Sequence, residues 1–310
     1  MIVVVGSINA DLFFIVESLP QAGETVLCPH YQLYIGGKGA NQAVAAARAG
    51  AETRMVGAVG SDVFAGAARD CLAAADVDIS AIYARSGATG TAMVAVDQKS
   101  ENQIIVASGA NNHVTADQLP AGWLGPDTIV VLQMEIPTPT NQAVIAAARD
   151  AGCKVILNLA PAAPLDAQSL VKTDVLIANR GEASVLLPDS ENPELQVIRL
   201  AAQYDLTAII TLGSDGLIAA TPDGSVWQVP ALDICAVDSV GAGDAFVGAF
   251  AAALDDAASL GDALVRGSVA GGLACTTAGP QSSPNKTWID QHISALAAFQ
   301  TPRERPISGE

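Results

Sequence analysis

The chain has 310 residues, half of them hydrophobic and only 15% charged, which suits a large buried core. Against 15 basic residues stand 32 acidic ones, a formal net charge of −17 that argues against nucleic acid or an anionic membrane as partner, though backbone amides and a few local cations can still hold a nucleotide. The five cysteines (Cys28, Cys71, Cys153, Cys235 and Cys275) are odd in number and scattered, as expected of reduced thiols in the cytoplasm rather than a disulfide frame or zinc site.

Ile2-Val3-Val4-Val5 is a short apolar run ending at Gly6 and reads as a buried parallel strand, not a signal peptide. No run reaches the ~18 apolar residues of a membrane span. Ser7, Asn9 and Asp11 follow directly, at the end of the strand where open α/β sheets bind ligands. Turn chemistry is the plainer account of the same residues. Residues 12–35 then read as β-rich, with strands at Phe13-Phe14-Ile15-Val16 and Thr25-Val26-Leu27. Gly36-Gly37-Lys38-Gly39-Ala40-Asn41-Gln42 opens an alanine-rich helix running to about Ala49, its glycines permitting close backbone approach. A nucleotide P-loop is excluded here, because Gln32 and Gly39 stand where it needs Gly and Ser or Thr.

Arg54 to Gly60 reads as a strand and residues 62–75 as a helix. Thr91-Ala92-Met93-Val94-Ala95-Val96 and Gln103-Ile104-Ile105-Val106 read as a hairpin. With residues 12–36, the segment 88–108 is expected to form a small β-sheet lid. From Asp127 onward apolar strands alternate with helices: 128–132, 154–157, 175–178 and 208–212 each end in polar or glycine residues. That alternation predicts an α/β fold, a doubly wound and mostly parallel sheet, in a single domain spanning 1–310. An antiparallel hairpin is expected at 217–229, helices at 242–254, 261–277 and 287–299, and a loose tail from 301.

The chemistry centres on Asp238-Ser239-Val240-Gly241-Ala242-Gly243-Asp244. Two glycines lead into a helix, whose free N–H groups make an anion site. A carboxylate at the mouth of that site competes with an anion unless it has another task. A general base beside a transferring phosphate is such a task; a glycine-rich loop with an Asp cap is the alternative. The dinucleotide fingerprint fails here, since Phe246 occupies its third glycine.

The two glycine loops, their order and their separation resemble the two signatures of the ribokinase-like (PfkB) carbohydrate kinases. Gly6 to Asp11, Gln133-Met134-Glu135, the Asn-x-x-Glu of Asn179 and Glu182, and Thr211-Leu212-Gly213-Ser214 agree, so the resemblance covers roughly residues 4–284. It implies that Asn9, Asp11, Gly37, Lys38, Asn41 and Glu135 hold sugar hydroxyls. Asp244 would be the catalytic base, and Gly241, Ala242, Gly243 and Asp244 the anion hole for the γ-phosphate of ATP. Asn179, Thr211, Gly213, Gly216 and Gly243 would contact the nucleotide, and Asn179 and Glu182 would organise Mg²⁺ largely through water. Asp238 would hold K⁺ together with carbonyls near Val240, Thr277, Gly279 and Ser283. The resemblance also implies a homodimer through the lid.

Within the family the run from Gly36 to Ala47 is most similar to that of enzymes acting on D-ribose, which is the expected acceptor. A nucleoside kinase or a fructokinase-type kinase is the alternative, and a non-catalytic sugar- or nucleotide-binding regulator a third. The intact Lys38, Asp244 and anion loop argue against the regulator. Leu159, where ribokinase-like sugar kinases commonly carry Pro, and Arg180, read as a surface residue, are departures bearing on substrate and nucleotide preference.

Overall fold

The computed structural model describes residues 1–98, 102–190, 192–296 and 303–304. In chain order the first elements are β1 (Ile2–Val5), β2 (Asn9–Ile15), β3 (Tyr31–Gly36), α1 (Lys38–Arg48), β4 (Thr53–Val59), α2 (Phe64–Ala74), β5 (Val77–Ala84), β6 (Gly90–Val96) and β7 (Asn102–Ala107). The alternating part continues with β8 (Ile129–Leu132), α3 (Thr138–Asp150), β9 (Lys154–Asn158), α4 (Ala167–Val171), β10 (Val175–Asn179), α5 (Arg180–Leu186), α6 (Pro193–Tyr204) and β11 (Thr207–Thr211). It closes with β12 (Leu217–Ala220), β13 (Ser225–Val229), α7 (Ala242–Asp255), α8 (Leu260–Ala274), α9 (Lys286–His292) and β14 (Arg303–Glu304).

One ten-stranded sheet runs β14-β13-β12-β11-β10-β9-β8-β1-β4-β5. From β11 to β5 every neighbouring pair is parallel, and β12, β13 and β14 add antiparallel strands at one edge. The run of β1 reads as continuously apolar because both of its faces are covered. Ile2 and Val4 join the cluster containing α1, α2, α7, α8 and α9, while Val3 and Val5 join the one containing α3, α4, α5 and α6. Each buried aliphatic side chain contributes about 1.5–3 kcal/mol. Strand order reverses between β8 and β1, so the C-terminal ends of those strands open a crevice.

A second sheet of four strands, ordered β3-β2-β6-β7, stands off the first. It joins the two β-rich segments read from the sequence, with β2 and β6 parallel and the outer pairs antiparallel. Its inner face, around Phe13, Ala92 and Val94, packs with Tyr34, Val96 and Val240.

Several elements differ from the sequence reading. Thr25-Val26-Leu27 is not a strand: Leu27 is 90% exposed, and the strand before the first glycine loop is β3. Strand β5 was not expected, because as an outer strand its pattern mixes polar and apolar residues. The last helix ends at His292, followed by a short 3₁₀ turn, and residues 297–299 of the expected helix lie outside the described residues. Arg303 and Glu304, assigned to a loose tail, pair with β13.

Candidate active site

Both glycine loops begin helices whose N-termini approach the ends of β1 and β8. Gly37 precedes α1 with φ 84°, and a Cβ there would lie 2.8 Å from the Asn9 backbone nitrogen. Gly39 is equally constrained, since its Cβ would sit 2.6 Å from the Ser7 nitrogen. The glycines therefore let α1 dock onto the turn after β1. Gly241 precedes α7 with φ 79°, and a Cβ there would overlap the Pro280 carbonyl. Gly243 has open space before it, leaving the N-terminus of α7 accessible.

Asp244, in the first turn of α7, is buried, and both of its carboxylate oxygens are held. Oδ2 accepts from Asn41 Nδ2 at 3.0 Å, and Oδ1 accepts from Gln42 Nε2 at 2.9 Å. The same Gln42 nitrogen donates to Asn158 Oδ1 at 3.0 Å, while Gln42 Oε1 accepts from Gln133 Nε2 at 2.7 Å. Lys38 lies beside this carboxylate: Asp244 chiefly holds its ammonium above the usual pKa, burial opposes, and Glu135 and Glu182 reinforce.

On one side of Asp244 sits a polar cluster. Glu135 accepts from the Ser7 hydroxyl at 2.5 Å and from the Lys38 backbone N–H at 3.0 Å. Asn9 Oδ1 accepts from Asn111 Nδ2 at 2.8 Å, and Asn111 also accepts from the Ile8 N–H at 2.9 Å. Asp11 is buried, and its Oδ1 has no partner; Asn41 Oδ1 also has none. Burial first, then the Glu135 and Asp244 carboxylates, push the Asp11 carboxyl up to about 7. Unsatisfied buried acceptors of this kind await a donor, and sugar hydroxyls supply one.

On the other side opens a cleft of about 830 Å³, reaching from Lys38 and Asp244 past Asn179 and Thr211 to Leu232 and Gly272. Its size suits a nucleotide, as small-molecule sites run to ~1,000 Å³. Gly213 (φ 62°) and Gly216 (φ 86°) line it, and a Cβ at Gly216 would overlap the Val229 carbonyl. Asn179 and Glu182 form a capping box at the start of α5: Asn179 Oδ1 accepts from the Glu182 N–H at 2.8 Å, and Glu182 Oε2 from the Asn179 N–H at 2.7 Å. Burial raises the Glu182 carboxyl above its usual range, the Asn179 N–H and Lys38 pulling against it.

The third group sits behind α7. Asp238 accepts from the Val240 N–H and from the Gly279 N–H, each at 3.0 Å. Tyr34 of β3 leans on the same segment, since a Cβ at Gly279 would lie 2.9 Å from its ring. Thr277 lies at the end of that segment, with its N–H on the Ala274 carbonyl. The Ser283 carbonyl accepts from the Arg48 guanidinium at 3.0 Å.

The structure thus gathers Asn9, Asp11, Gly37, Lys38, Asn41, Glu135 and Asp244 around one point. Asn179, Glu182, Thr211, Gly213, Gly216, Gly241, Ala242 and Gly243 share the adjoining cleft. Arg180 is exposed and does not line it. Sequence reasoning placed Ser7 at the ligand-binding end of β1 without a specific role, and gave none to Gln42, Asn111 or Asn158. Their sequence signal is only that polar residues stand where a strand end or helix start becomes buried.

A carboxylate that faces hydroxyl-binding acceptors on one side and a helix N-terminus on the other suits one class of reaction: this is a phosphotransferase with an alcohol acceptor. The chain belongs to the pfkB family of carbohydrate kinases, whose profile matches residues 1–288. The ribokinase of Haemophilus influenzae is 33% identical over 287 residues, spanning 90% of this chain and 94% of that protein. The deoxyribokinase of Salmonella typhi is 32% identical over 302 residues, spanning 94% of this chain and 98% of that protein. The structure of Arabidopsis thaliana ribokinase complexed with ribose and ATP superposes with a TM-score of 0.84 at 29% identity, over 94% of this chain and 98% of that one.

Proposed function

We propose that this chain transfers the γ-phosphoryl group of ATP to D-ribose, giving ribose 5-phosphate and ADP. The observation that supports the reading best is that Asp244 is shared by both halves of the site, linked to Asn41 on the sugar side and seated in the first turn of the helix that lines the cleft. Asn9, Asp11, Asn41 and Glu135 orient the sugar through its hydroxyls. Asp244 takes the proton of the attacking hydroxyl, whose oxygen bonds to phosphorus as the bond to the ADP oxygen breaks. The N–H groups of Gly241 and Gly243, with Lys38, offset the charge gathering on the phosphoryl oxygens, while that of Ala242 donates to the Ser239 carbonyl at 3.2 Å.

Asn179, Thr211, Gly213, Gly216 and Gly243 hold the nucleotide in this reading. Asn179 and Glu182 fit a hydrated Mg²⁺, because the capping box engages only one oxygen of the Glu182 carboxylate. When bound, that ion neutralises phosphate charge. For K⁺ the fit is uneven. Asp238 is held beside the anion loop by the N–H groups of Val240 and Gly279, with lone pairs to spare, and the carbonyls of Val240, Thr277 and Gly279 would complete the ion's shell in this reading. The Ser283 carbonyl, already bound by a guanidinium, does not fit. If Asp238 binds K⁺, kcat in K⁺ exceeds that in Na⁺ at equal ionic strength, and Asp238→Ala removes the difference; equal rates dismiss the ion.

The four-stranded sheet acts as the lid in this reading. Its Ile15, Tyr31, Leu33, Ile104, Ile105 and Val106 are exposed, a surface suited to a second copy of the chain. Light scattering at micromolar concentration tests the homodimer. Unpaired cysteines are consistent with the cytoplasm, and among the described residues no helix is long and apolar enough to cross a membrane.

A coupled ADP-release assay on a sugar panel tests the assignment. D-ribose should give the highest kcat/KM and 2-deoxyribose a clearly lower one, because buried acceptors left unpaired penalise an analogue by up to ~10⁴-fold. Faster turnover of fructose or adenosine would overturn the assignment. The deoxyribokinase among the relatives favours a second reading, in which 2-deoxyribose wins the same panel.

A further inference from the structure

Resting on Asp244 as the base, we infer that Gln42 is a positioning residue that fixes which oxygen of Asp244 receives the proton. Gln42 and Gln133 are fully buried, and Asn158 is 7% exposed. Their amides hydrogen-bond in one direction. Gln133 Nε2 donates to Gln42 Oε1 at 2.7 Å, which turns the Gln42 amide so that its nitrogen faces Asp244. The two hydrogens of that nitrogen go to Asp244 Oδ1 and Asn158 Oδ1, at 2.9 and 3.0 Å. The Gln133 backbone is anchored, its main-chain carbonyl accepting from Asn141 Nδ2 at 2.7 Å, while its side-chain Oε1 has no partner.

The two oxygens of the base are therefore not equivalent. Oδ1 faces a buried amide chain that runs through Gln42 to Gln133 and Asn158 at the ends of β8 and β9. Oδ2 faces Asn41, whose own Oδ1 has no partner and lies in the sugar cluster. Oδ2 is the working oxygen, and Gln42 keeps the carboxylate from rotating to present the other. A carboxylate free to rotate spends time misaligned, and misplacement on this scale costs up to ~10²-fold in rate. Gln42 touches neither sugar nor nucleotide in this arrangement, so its loss falls on kcat and not on KM.

Gln42→Leu removes the donor at similar volume. The expected result is a kcat lower by about 10- to 100-fold, with KM for ribose and ATP within about twofold of wild type. Gln42→Glu keeps the acceptor for Gln133 but donates to Asp244 only while protonated. Its kcat should therefore fall on the alkaline side, where wild type shows no such fall. The charged groups coupled to Asp244 are Lys38 from α1, Asp11 from β2 and Glu182 from α5, with Glu135 beside Lys38; all are unchanged in this variant. A merely structural amide would not lower kcat while leaving KM for both substrates unchanged.

Should Gln42→Leu fail to fold, Gln42→Glu and Gln133→Leu, which frees the Gln42 amide to flip, carry the test. An unchanged kcat in the folded variants, or a raised KM at constant kcat, overturns the inference if Asp244→Asn is inactive. Near-normal turnover in Asp244→Asn removes the base reading itself, so the two failures are distinguishable.

Discussion

The two halves of the site are built from different material. Toward the sugar, side chains meet side chains: Ser7 on Glu135, Asn111 on Asn9, and Asn41 and Gln42 on Asp244, nearly all buried. Toward the nucleotide, glycines and apolar residues form much of the wall, joined by Lys38, Asn179, Glu182 and Asp244, and the Thr211 hydroxyl is turned to the Ala178 carbonyl at 3.5 Å. Side-chain networks discriminate among hydroxyl patterns because each unpaired member is costly. Backbone amides at a helix start hold any phosphate chain of the right shape. In the proposed reading selectivity is thus concentrated on the acceptor side, and the donor side supplies general affinity and charge compensation.

Substitutions at three positions break or sharpen this contrast. The largest effect is expected where the halves meet. Asp244→Asn keeps the shape and removes proton acceptance, so kcat should drop at least ~10²-fold while ribose and ADP still bind. Isothermal titration on the inactive variant checks the second half of that statement.

Next comes the sugar side alone. Asp11→Ala should lower kcat/KM for ribose by more than about tenfold and leave the ADP dissociation constant unchanged. Asp11 also has a signature in the ligand-free protein. Its carboxyl is raised from 3.8 to about 7 in the fold, so its contribution to stability is complete below pH 3.8 and is lost as pH rises toward 7. Asp11→Asn should accordingly be the more stable protein at pH 8, by on the order of a few kcal/mol, with the gap closing near pH 4. Melting curves at the two pH values decide, and a gap of the same size at both would show that burial of the charge is not the cause.

The smallest effect belongs to the cleft. Thr211→Ala should shift KM for ATP by less than about threefold, since the Thr211 hydroxyl is turned to the Ala178 carbonyl and the backbone is left to hold the nucleotide. A loss of ten times or more would mean that the nucleotide, too, is read by side chains.

The same contrast decides what was legible in the sequence. Strands β1, β8, β9, β10 and β11 were readable because burial on both faces makes them continuous apolar runs. The two glycine loops were readable because positive φ and close approach at Gly37 and Gly241 admit no side chain. Strand β5 was not readable, because its outer position lets polar Asp78 and Ser80 alternate with apolar neighbours. Thr25-Val26-Leu27 has the composition of a strand but no pairing partner, and local propensity does not reveal pairing. The acceptor-side amides were least legible of all. Gln42, Gln133, Asn158 and Asp244 come from two helix starts and two strand ends far apart in the chain, and only the folded sheet brings them within hydrogen-bond range. Arg48 gripping the Ser283 carbonyl is of the same kind.

The contact between Tyr34 and Gly279 has an evolutionary consequence. The ring belongs to the small sheet, and the glycine to the segment that Asp238 ties to the loop ahead of α7. Neither position is free to drift alone: a larger residue at 279 would push against the ring, and its φ of 98° already disfavours one. Across diverging sequences the two positions should change together, a bulkier 279 accompanied by a smaller 34. Recombinants that take residues 1–100 from one parent and the remainder from another should be viable mainly when this pair is inherited as a match.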